Sequence, residues 1–188
     1  MAHSDDNVLT YGLRGAIGRL VVFRKKGDKT IVSKRPRFKP GYVPTTDQLA
    51  IRDKFSDASR YAKAAIQDPA TKAGYEAVSR SGQSAYNVAF QDAYNAPELS
   101  LLRLENYNGQ PLDTILVKAV DNFKVVSVEF LISNPDGSLL ERGLATIELN
   151  GSDWKYSCKL LNANLTGSVV KVVATDLPGN SVELSQTI

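Results

Sequence analysis

The chain has 188 residues, of which 43% are hydrophobic and 23% are charged, and its formal net charge is +3. This composition is ordinary for a globular protein and excludes a chain that is disordered throughout. The length fits one large domain or two small ones.

Residues 1–44 are predicted to form a basic β-hairpin and a proline-rich connector. The segments LVVFRK (20–25) and KTIVSK (29–34) are rich in β-branched and aromatic residues, which favour strands, and the turn sequence KGD separates them. The connector RPRFKPGYVP contains three prolines, each of which fixes its own φ and restricts the residue before it.

Residues 45–97 are predicted to form about three helices. The first helix carries an apolar stripe with spacings of four and three. The stripe consists of Ile51, Phe55, Ala58, Ala62 and Ala65. Asp68 and Pro69 are typical of the cap and first residue of a second helix. Ser84 opens a third helix, and Pro97 ends it.

Residues 98–188 are predicted to form an all-β, Ig-like sandwich. Seven short strand-like segments are separated by turn sequences such as NPDG and LPGN. The segments are LSLLRLEN, TILVKAV, KVVSVEFLIS, RGLATIELN, WKYSCKL, SVVKVVATD and SVELSQT. We expect Trp154 to be a core residue. The fold class is therefore α+β in several segments, with an N-terminal β-hairpin, a helical middle and a C-terminal Ig-like sandwich.

Two resemblances follow from these segments. The string VVATDLPGNSVEL (172–184) resembles the final hairpin of bacterial Ig-like domains, which implies a spacer or adhesive module without catalysis. The strings GLRGAIGRLVVFR, KTIVSKRP, TTDQLAIRDKF, YAKA and GQSAYNVAF are similar to a group of small uncharacterised proteins from Bacteroidota. That second resemblance covers most of the chain and implies an architecture but no activity.

The glycine-rich stretch GLRGAIGRLVVFRKKGDKT does not predict a nucleotide site. A phosphate-binding loop requires G-x-x-x-x-G-K-[ST] between a strand and a helix. Here Asp28 separates Gly27 from Lys29, and a second strand follows. The dinucleotide fingerprint also fails, since G-x-G is absent and no helix follows. We expect the glycines to permit a bend or a close backbone approach.

The sequence predicts no metal site, no cofactor and no catalytic residues. His3, the only histidine, lies in the N-terminal segment, which we expect to be mobile, and Cys158 is the only cysteine, so we expect neither a zinc cluster nor a Ser-His-Asp triad. We expect Cys158 to be a small packed residue in a strand. The acidic turn residues that could bind Ca²⁺ are Asp121, Asp136, Asp153 and Asp176. Without a D-x-D-x-D run, we expect these residues to cap turns, and we expect a non-enzyme.

Charge is distributed unevenly along the chain. Residues 1–40, the basic head, hold ten Lys or Arg against three Asp, a net charge of +7. Residues 41–188, the acidic body, hold thirteen against seventeen acidic residues, a net charge of −4. The predicted binding site for a protein partner or nucleic acid is Arg14, Arg19, Arg24, Lys25, Lys26, Lys29, Lys34, Arg35, Arg37 and Lys39.

These observations leave two functions open. The leading hypothesis is a non-catalytic structural or interaction protein, an assembly or adaptor component of, for example, a phage-like or contractile particle or a surface assembly. Its basic hairpin would dock on a protein partner or on another copy of the chain. The alternative is a nucleic-acid-binding architectural protein that uses the same hairpin.

The sequence also bears on location. The N-terminus lacks the basic and apolar regions of a signal peptide, and no stretch reaches the ~18 apolar residues of a membrane span. We therefore expect a protein that is made in the cytoplasm and does not insert into a membrane. Incorporation into a particle, or export by a signal-independent route, stays open.

Overall fold

A computed structural model describes residues 2–3, 12–18, 20–26, 29–36 and 41–188. The chain divides into two compact units, Met1–Leu49 and Ala50–Ile188. Within the described ranges, no helix has both the length and the apolar character needed to cross a membrane.

The first unit contains a small antiparallel sheet with the strand order β1-β4-β3-β2. Its strands are β1 (Ala2–His3), β2 (Gly15–Ile17), β3 (Val21–Lys26) and β4 (Lys29–Lys34). The long strands β3 and β4 occupy the two segments predicted as strands and pair along their whole length, from Val21 opposite Lys34 to Lys26 opposite Lys29. The predicted turn at 27–28 and the connector residues 37–40 lie outside the described residues.

Three helices confirm the predicted helical middle. They are α1 (Thr46–Ala65), α2 (Pro69–Ala77) and α3 (Ala85–Tyr94). The side chain of Asp68 accepts a hydrogen bond from the backbone N–H of Thr71, and that of Ser84 accepts one from Asn87, which satisfies free N–H groups at the starts of α2 and α3.

The apolar stripe of α1 is buried only in its second half. Ala58 and Ala62 are buried, whereas Ile51 and Phe55 are 57% and 58% exposed. The buried part joins a small core that the three helices share: Ala62, Tyr75, Ala85, Val88 and Ala89. The first half of α1 therefore leaves large apolar side chains in contact with solvent.

Residues 98–188 form two antiparallel four-stranded sheets, with the orders β5-β6-β10-β9 and β12-β11-β7-β8. The strands are β5 (Glu98–Arg103), β6 (Thr114–Val120), β7 (Val125–Ser133), β8 (Leu139–Leu144), β9 (Thr146–Ile147), β10 (Asp153–Ser157), β11 (Val169–Asp176) and β12 (Ser181–Thr187). Alternate side chains from both sheets fill one core; on β11 these are Val170, Val172 and Ala174. Trp154 is buried in this core, as predicted.

Two details differ from the sequence prediction. The segment RGLATIELN is not one strand, because the chain changes sheets at Ala145: Leu144 pairs with β7, whereas Thr146 and Ile147 pair with β10. Cys158 is buried as expected but follows β10 instead of lying within it. Burial raises the pKa of its thiol to about 12, which keeps it protonated and unreactive.

Replacing Gly74 by alanine is expected to stabilise the protein by about 0.5–1 kcal/mol. Gly74 lies inside α2, and a Cβ there would lie 3.5 Å from Cζ of Phe123, an ordinary van der Waals distance. Alanine loses less backbone entropy than glycine on folding into a helix. The midpoint of urea denaturation should rise; a lower midpoint would show that the ring of Phe123 leaves no room for a methyl group.

Candidate functional site

The register of β3 and β4 divides the predicted basic site between the two faces of the first sheet. Side chains alternate between faces along a strand. Lys25 and Lys34 therefore share one face, since they lie opposite Thr30 and Val21. Arg24 belongs to the other face, together with the positions of the directly paired Lys26 and Lys29.

Five of the ten predicted site residues have exposed side chains: Arg14, Arg24, Lys25, Lys34 and Arg35. Lys26 and Lys29 are placed by their backbone alone, and Arg19, Arg37 and Lys39 lie outside the described residues. Leu20, Val21, Lys34 and Arg35 line a cavity of about 500 Å³. The structure thus brings Lys34 and Arg35 together beside apolar side chains, whereas Arg24 lies on the face opposite Lys34.

The first sheet has no buried apolar core on either of its faces, as far as the described residues show. In the described part of the first unit, no apolar side chain is buried. Val21, Val22 and Phe23 are half-buried, and Ile17 and Leu20 are 58% and 66% exposed. The sheet therefore presents apolar and basic side chains together.

A second site lies at one end of the sandwich in the second unit. The sequence alone allows Asp121 and Asp176 as Ca²⁺ ligands and favours turn capping for both, but the sequence prediction does not identify Asp92 or bring the three residues together. Asp92 comes from the last turn of α3, Asp121 from the turn between β6 and β7, and Asp176 from the end of β11. One carboxylate oxygen from each lies within 4.8 Å of the other two. We call these three residues the carboxylate cluster.

Local hydrogen bonds hold two members of the cluster in place. Oδ2 of Asp121 accepts from the N–H groups of Phe123 (3.2 Å) and Lys124 (3.0 Å). Oδ1 of Asp176 accepts from the N–H groups of Gly179 (2.9 Å) and Asn180 (2.6 Å). The turn-capping prediction is therefore confirmed for both aspartates.

The other two predicted turn residues differ from each other. Asp136 caps its turn by accepting from the N–H of Ser138 at 2.8 Å, which confirms the prediction. Asp153 begins β10 and instead accepts from the guanidinium of Arg103 at 2.6 Å, so turn capping is the wrong description of its main contact. The ion pair lowers the pKa of Asp153.

Asp92 is the most deeply placed member of the cluster. Its side chain is completely buried, and Oδ2 accepts from the hydroxyl of Tyr75 at 2.6 Å. The Tyr75 hydroxyl in turn lies 3.0 Å from that of Tyr61. Among the described residues, Oδ1 of Asp92 has no hydrogen-bond donor. This buried acceptor is the unpaired atom of the cluster.

The pKa values of Asp92 and Asp176 in the cluster are raised. Burial raises the pKa of Asp92 to about 7; the hydrogen bond from Tyr75 opposes the shift, whereas a hydrogen bond that the protonated carboxyl shares with Asp121, and the charges of Asp121 and Asp176, add to it. Burial also raises the pKa of Asp176, while its hydrogen bonds from Asn180 and Gly179 oppose that rise. Near neutral pH the cluster therefore concentrates negative charge that a proton or a cation must offset.

Residues next to the cluster join α3 to the sandwich. Nδ2 of Asn180 donates to Oδ2 of Asp176 at 2.8 Å and lies 3.3 Å from the carbonyl oxygens of Asp92 and Ala93 at the end of α3. The ring of Phe123 packs on Tyr75 with 4.3 Å between ring centroids. The cluster thus lies at the joint between the helices and the sandwich.

The helical spacing of residues in α3 could have identified Asp92 from the sequence. The buried residues of α3 are Ala85, Val88, Ala89 and Asp92, at helical spacings of three and four. An aspartate on the apolar face of a helix requires partners, since a buried charge is costly without them. The partners themselves come from turns far along the chain, and no local pattern identifies them.

Comparison of the chain with protein-family models, with curated proteins and with solved structures finds no match.

Proposed function

We propose that this chain is a non-catalytic structural protein that assembles with further copies of itself, the basic head of one copy docking on the acidic body of another. The observation that carries the proposal is the first sheet, whose described apolar side chains are half-buried or exposed. A small sheet without a covered apolar face is marginally stable, so a partner surface is the natural source of the missing burial.

Charge favours a second copy as that partner. The head carries a net charge of +7 and the body one of −4. The cavity that Lys34 and Arg35 share with Leu20 and Val21 offers two cations beside two apolar side chains. An acidic side chain flanked by apolar ones fits this chemistry.

The body offers matching apolar surface at the edges of its sheets. β8 and β9 are edge strands, and Leu144 and Ile147 on them are 67% and 54% exposed. Leu149, just beyond β9, is also fully exposed. Native proteins usually protect the edge strands of a sheet, because unpaired edges promote association with other chains. Exposed apolar side chains on such edges are therefore typical of interaction surfaces.

The strand order supports a spacer role for the sandwich. Labelled A, B, C, C′, D, E, F and G in chain order, its sheets read A-B-E-D and G-F-C-C′. This order agrees with that of Ig-like domains, which commonly act as rigid modules within larger assemblies. An adaptor or spacer in a particle or surface assembly is the role we propose.

Light scattering coupled to size exclusion tests the proposal on the full chain. At low salt we expect a mass of at least two copies, and at high salt a shift toward the monomer, because salt screens the attraction of head and body. The head variant changes four exposed cations to Glu: Arg24, Lys25, Lys34 and Arg35. We expect it to weaken association at least about tenfold, equivalent to ~1.4 kcal/mol.

A body variant with the same change in net charge is the matched control. It changes four exposed cations of the body to Glu: Arg52, Lys63, Arg80 and Lys159. We expect its association to be unchanged or tighter, since the body becomes more acidic. A monomeric wild-type chain at high concentration would overturn the proposal. Salt-sensitive binding of a mixed DNA and RNA panel by that monomer, lost in the head variant, would assign the head to nucleic acid instead.

A further inference from the structure

We propose that Asp92, Asp121 and Asp176 bind one divalent cation, with calcium preferred, at the joint between the helices and the sandwich. This site goes beyond the proposed assembly function and does not depend on how copies associate. It links three elements that are distant in the chain.

The spacing of the oxygens fits calcium. Calcium binds oxygen ligands at about 2.3–2.6 Å, so two ligands of one ion lie at most about 5 Å apart. The three carboxylate oxygens lie within 4.8 Å of one another. Magnesium requires oxygens at about 2.1 Å in near-ideal octahedral geometry, so its ligands lie at most about 4.2 Å apart. Because 4.8 Å is an upper limit on these separations, the spacing admits either ion; calcium is preferred since it tolerates irregular geometry, whereas magnesium demands near-ideal octahedral geometry.

A buried oxygen of Asp92 lacks a hydrogen-bond donor. Buried acceptors are nearly always satisfied, and one left without a donor costs folding free energy. Oδ1 of Asp92 is buried without a donor among the described residues, although Oδ2 of the same carboxylate accepts from Tyr75. A cation between this oxygen and the carboxylates of Asp121 and Asp176 would satisfy it.

The position of Asp92 on its helix adds to the case for a cation. Asp92 lies in the last turn of α3, where the helix dipole places partial negative charge. A carboxylate there is unfavourable by itself, and a bound cation reverses the sign of the interaction. The joint thus collects a helix C-terminus and three acidic side chains.

One member of the cluster is accessible to solvent. Asp121 is half-buried and lines a surface cavity of about 490 Å³ together with Asn95 and Asn122. Calcium takes six to eight oxygen ligands, so amide oxygens and water in this cavity would complete its coordination. Lys54 also lines the cavity, with its ammonium 4.6 Å from the centre of the Tyr94 ring.

Calcium binding is tested on the full chain after treatment with a chelator. We expect thermal unfolding to shift upward by about 5 °C or more when Ca²⁺ exceeds its Kd 100-fold, because only the folded chain presents the site. Terbium, used as a calcium probe, should luminesce when the tyrosines are excited, since Tyr75 donates directly to Asp92. Magnesium should give a smaller shift at equal concentration.

The variant Asp92→Asn should lose the calcium shift and the terbium signal, with affinity reduced at least tenfold. Its amide keeps an acceptor for Tyr75 and nearly the same shape. Asp121→Asn, at the half-buried position, provides the same test if the first variant does not fold. The matched control is Asp136→Asn, an aspartate that also caps a turn but lies outside the cluster, and it should keep both signals.

If Ca²⁺ and Tb³⁺ leave unfolding and luminescence unchanged up to about 10 mM, a concentration above the Kd of weak calcium modules, the cluster does not bind a cation. The offsetting charge is then a proton shared between Asp92 and its neighbours. An equal calcium shift in Asp92→Asn and wild type would place the ion elsewhere and would likewise contradict the proposal.

Discussion

Replacing Gly143 by alanine is expected to destabilise the protein by about 3 kcal/mol. Gly143 lies on β8, and a Cβ there would lie 2.7 Å from Cε2 of Tyr156 and 2.8 Å from its hydroxyl oxygen. Contacts this short do not occur in folded proteins, so either the ring or the strand must move. The strand is held by its pairing with β7, and the ring is held by its own contacts.

Burial and two contacts hold the ring of Tyr156 in place. It is buried in the core, it stacks on Phe130 at an interplanar angle of 11°, and its hydroxyl donates to Oε1 of Glu141 at 2.6 Å. Glu141 also accepts from the backbone N–H groups of Lys159 and Leu160, so displacement of the ring disturbs the loop after β10. A buried acceptor that loses its donor adds to the cost.

Urea denaturation measures this prediction, with Gly74→Ala as the control. That substitution also adds one methyl group, but at an ordinary distance of 3.5 Å. The two variants should therefore shift the unfolding midpoint in opposite directions. A Gly143→Ala protein as stable as the wild type would mean that Tyr156 is not held as these contacts imply.

In a chelating buffer, the stability of the wild-type chain is expected to fall by about 3 kcal/mol between about pH 5 and pH 8. The pKa of Asp92 is raised to about 7 in the folded chain. The unfolded chain releases this proton near the usual aspartate value of about 4. Folding therefore takes up a proton in this range, and stability is lost as the pH rises through 7.

Three titratable groups from three other elements act on Asp92. They are the hydroxyl of Tyr75 on α2, Asp121 after β6 and Asp176 at the end of β11. Tyr75 stays protonated, since burial and its bond to Asp92 raise its pKa. Burial raises the pKa of Asp176 as well, which adds to the loss with the same sign.

Asp92→Asn isolates the contribution of this one carboxyl. In the chelating buffer, the variant should be more stable than the wild type at about pH 8, and the difference should shrink toward pH 5 as the wild-type proton binds. Chemical denaturation at both pH values measures the difference. Parallel pH profiles for the two proteins would contradict the raised pKa of Asp92.

Local patterns in the sequence predict most of the elements of this fold. The caps Asp68 and Ser84 mark helix starts, because they satisfy N–H groups within the same turn. The segment RGLATIELN reads as one strand because its residues favour strands throughout. The N–H of Ala145 still donates to the carbonyl of Val128 on β7, whereas Thr146 and Ile147 pair with β10, and both sets of partners are distant in the sequence.

The two candidate sites differ in how far sequence predicts them. Side chains of consecutive residues on a strand point to opposite faces of the sheet. The placement of Arg24 and Lys25 on opposite faces therefore follows from the strand prediction alone. The carboxylate cluster does not follow from any local pattern, because its members come from a helix end and two turns. Asp92 and Asp176 are 84 positions apart in the chain. Only the packing of α3 against the sandwich brings them together.

Cross-linking between isotopically distinct copies tests the docking of head on body most directly. Equal amounts of ¹⁴N- and ¹⁵N-labelled full-length chain are mixed at low salt and treated with a carbodiimide, which joins amines to carboxylates in direct contact. Mass spectrometry should find links from Lys25 or Lys34 of one isotope to acidic residues of 50–188 of the other, and these should disappear at high salt. Links confined to single copies would contradict the account.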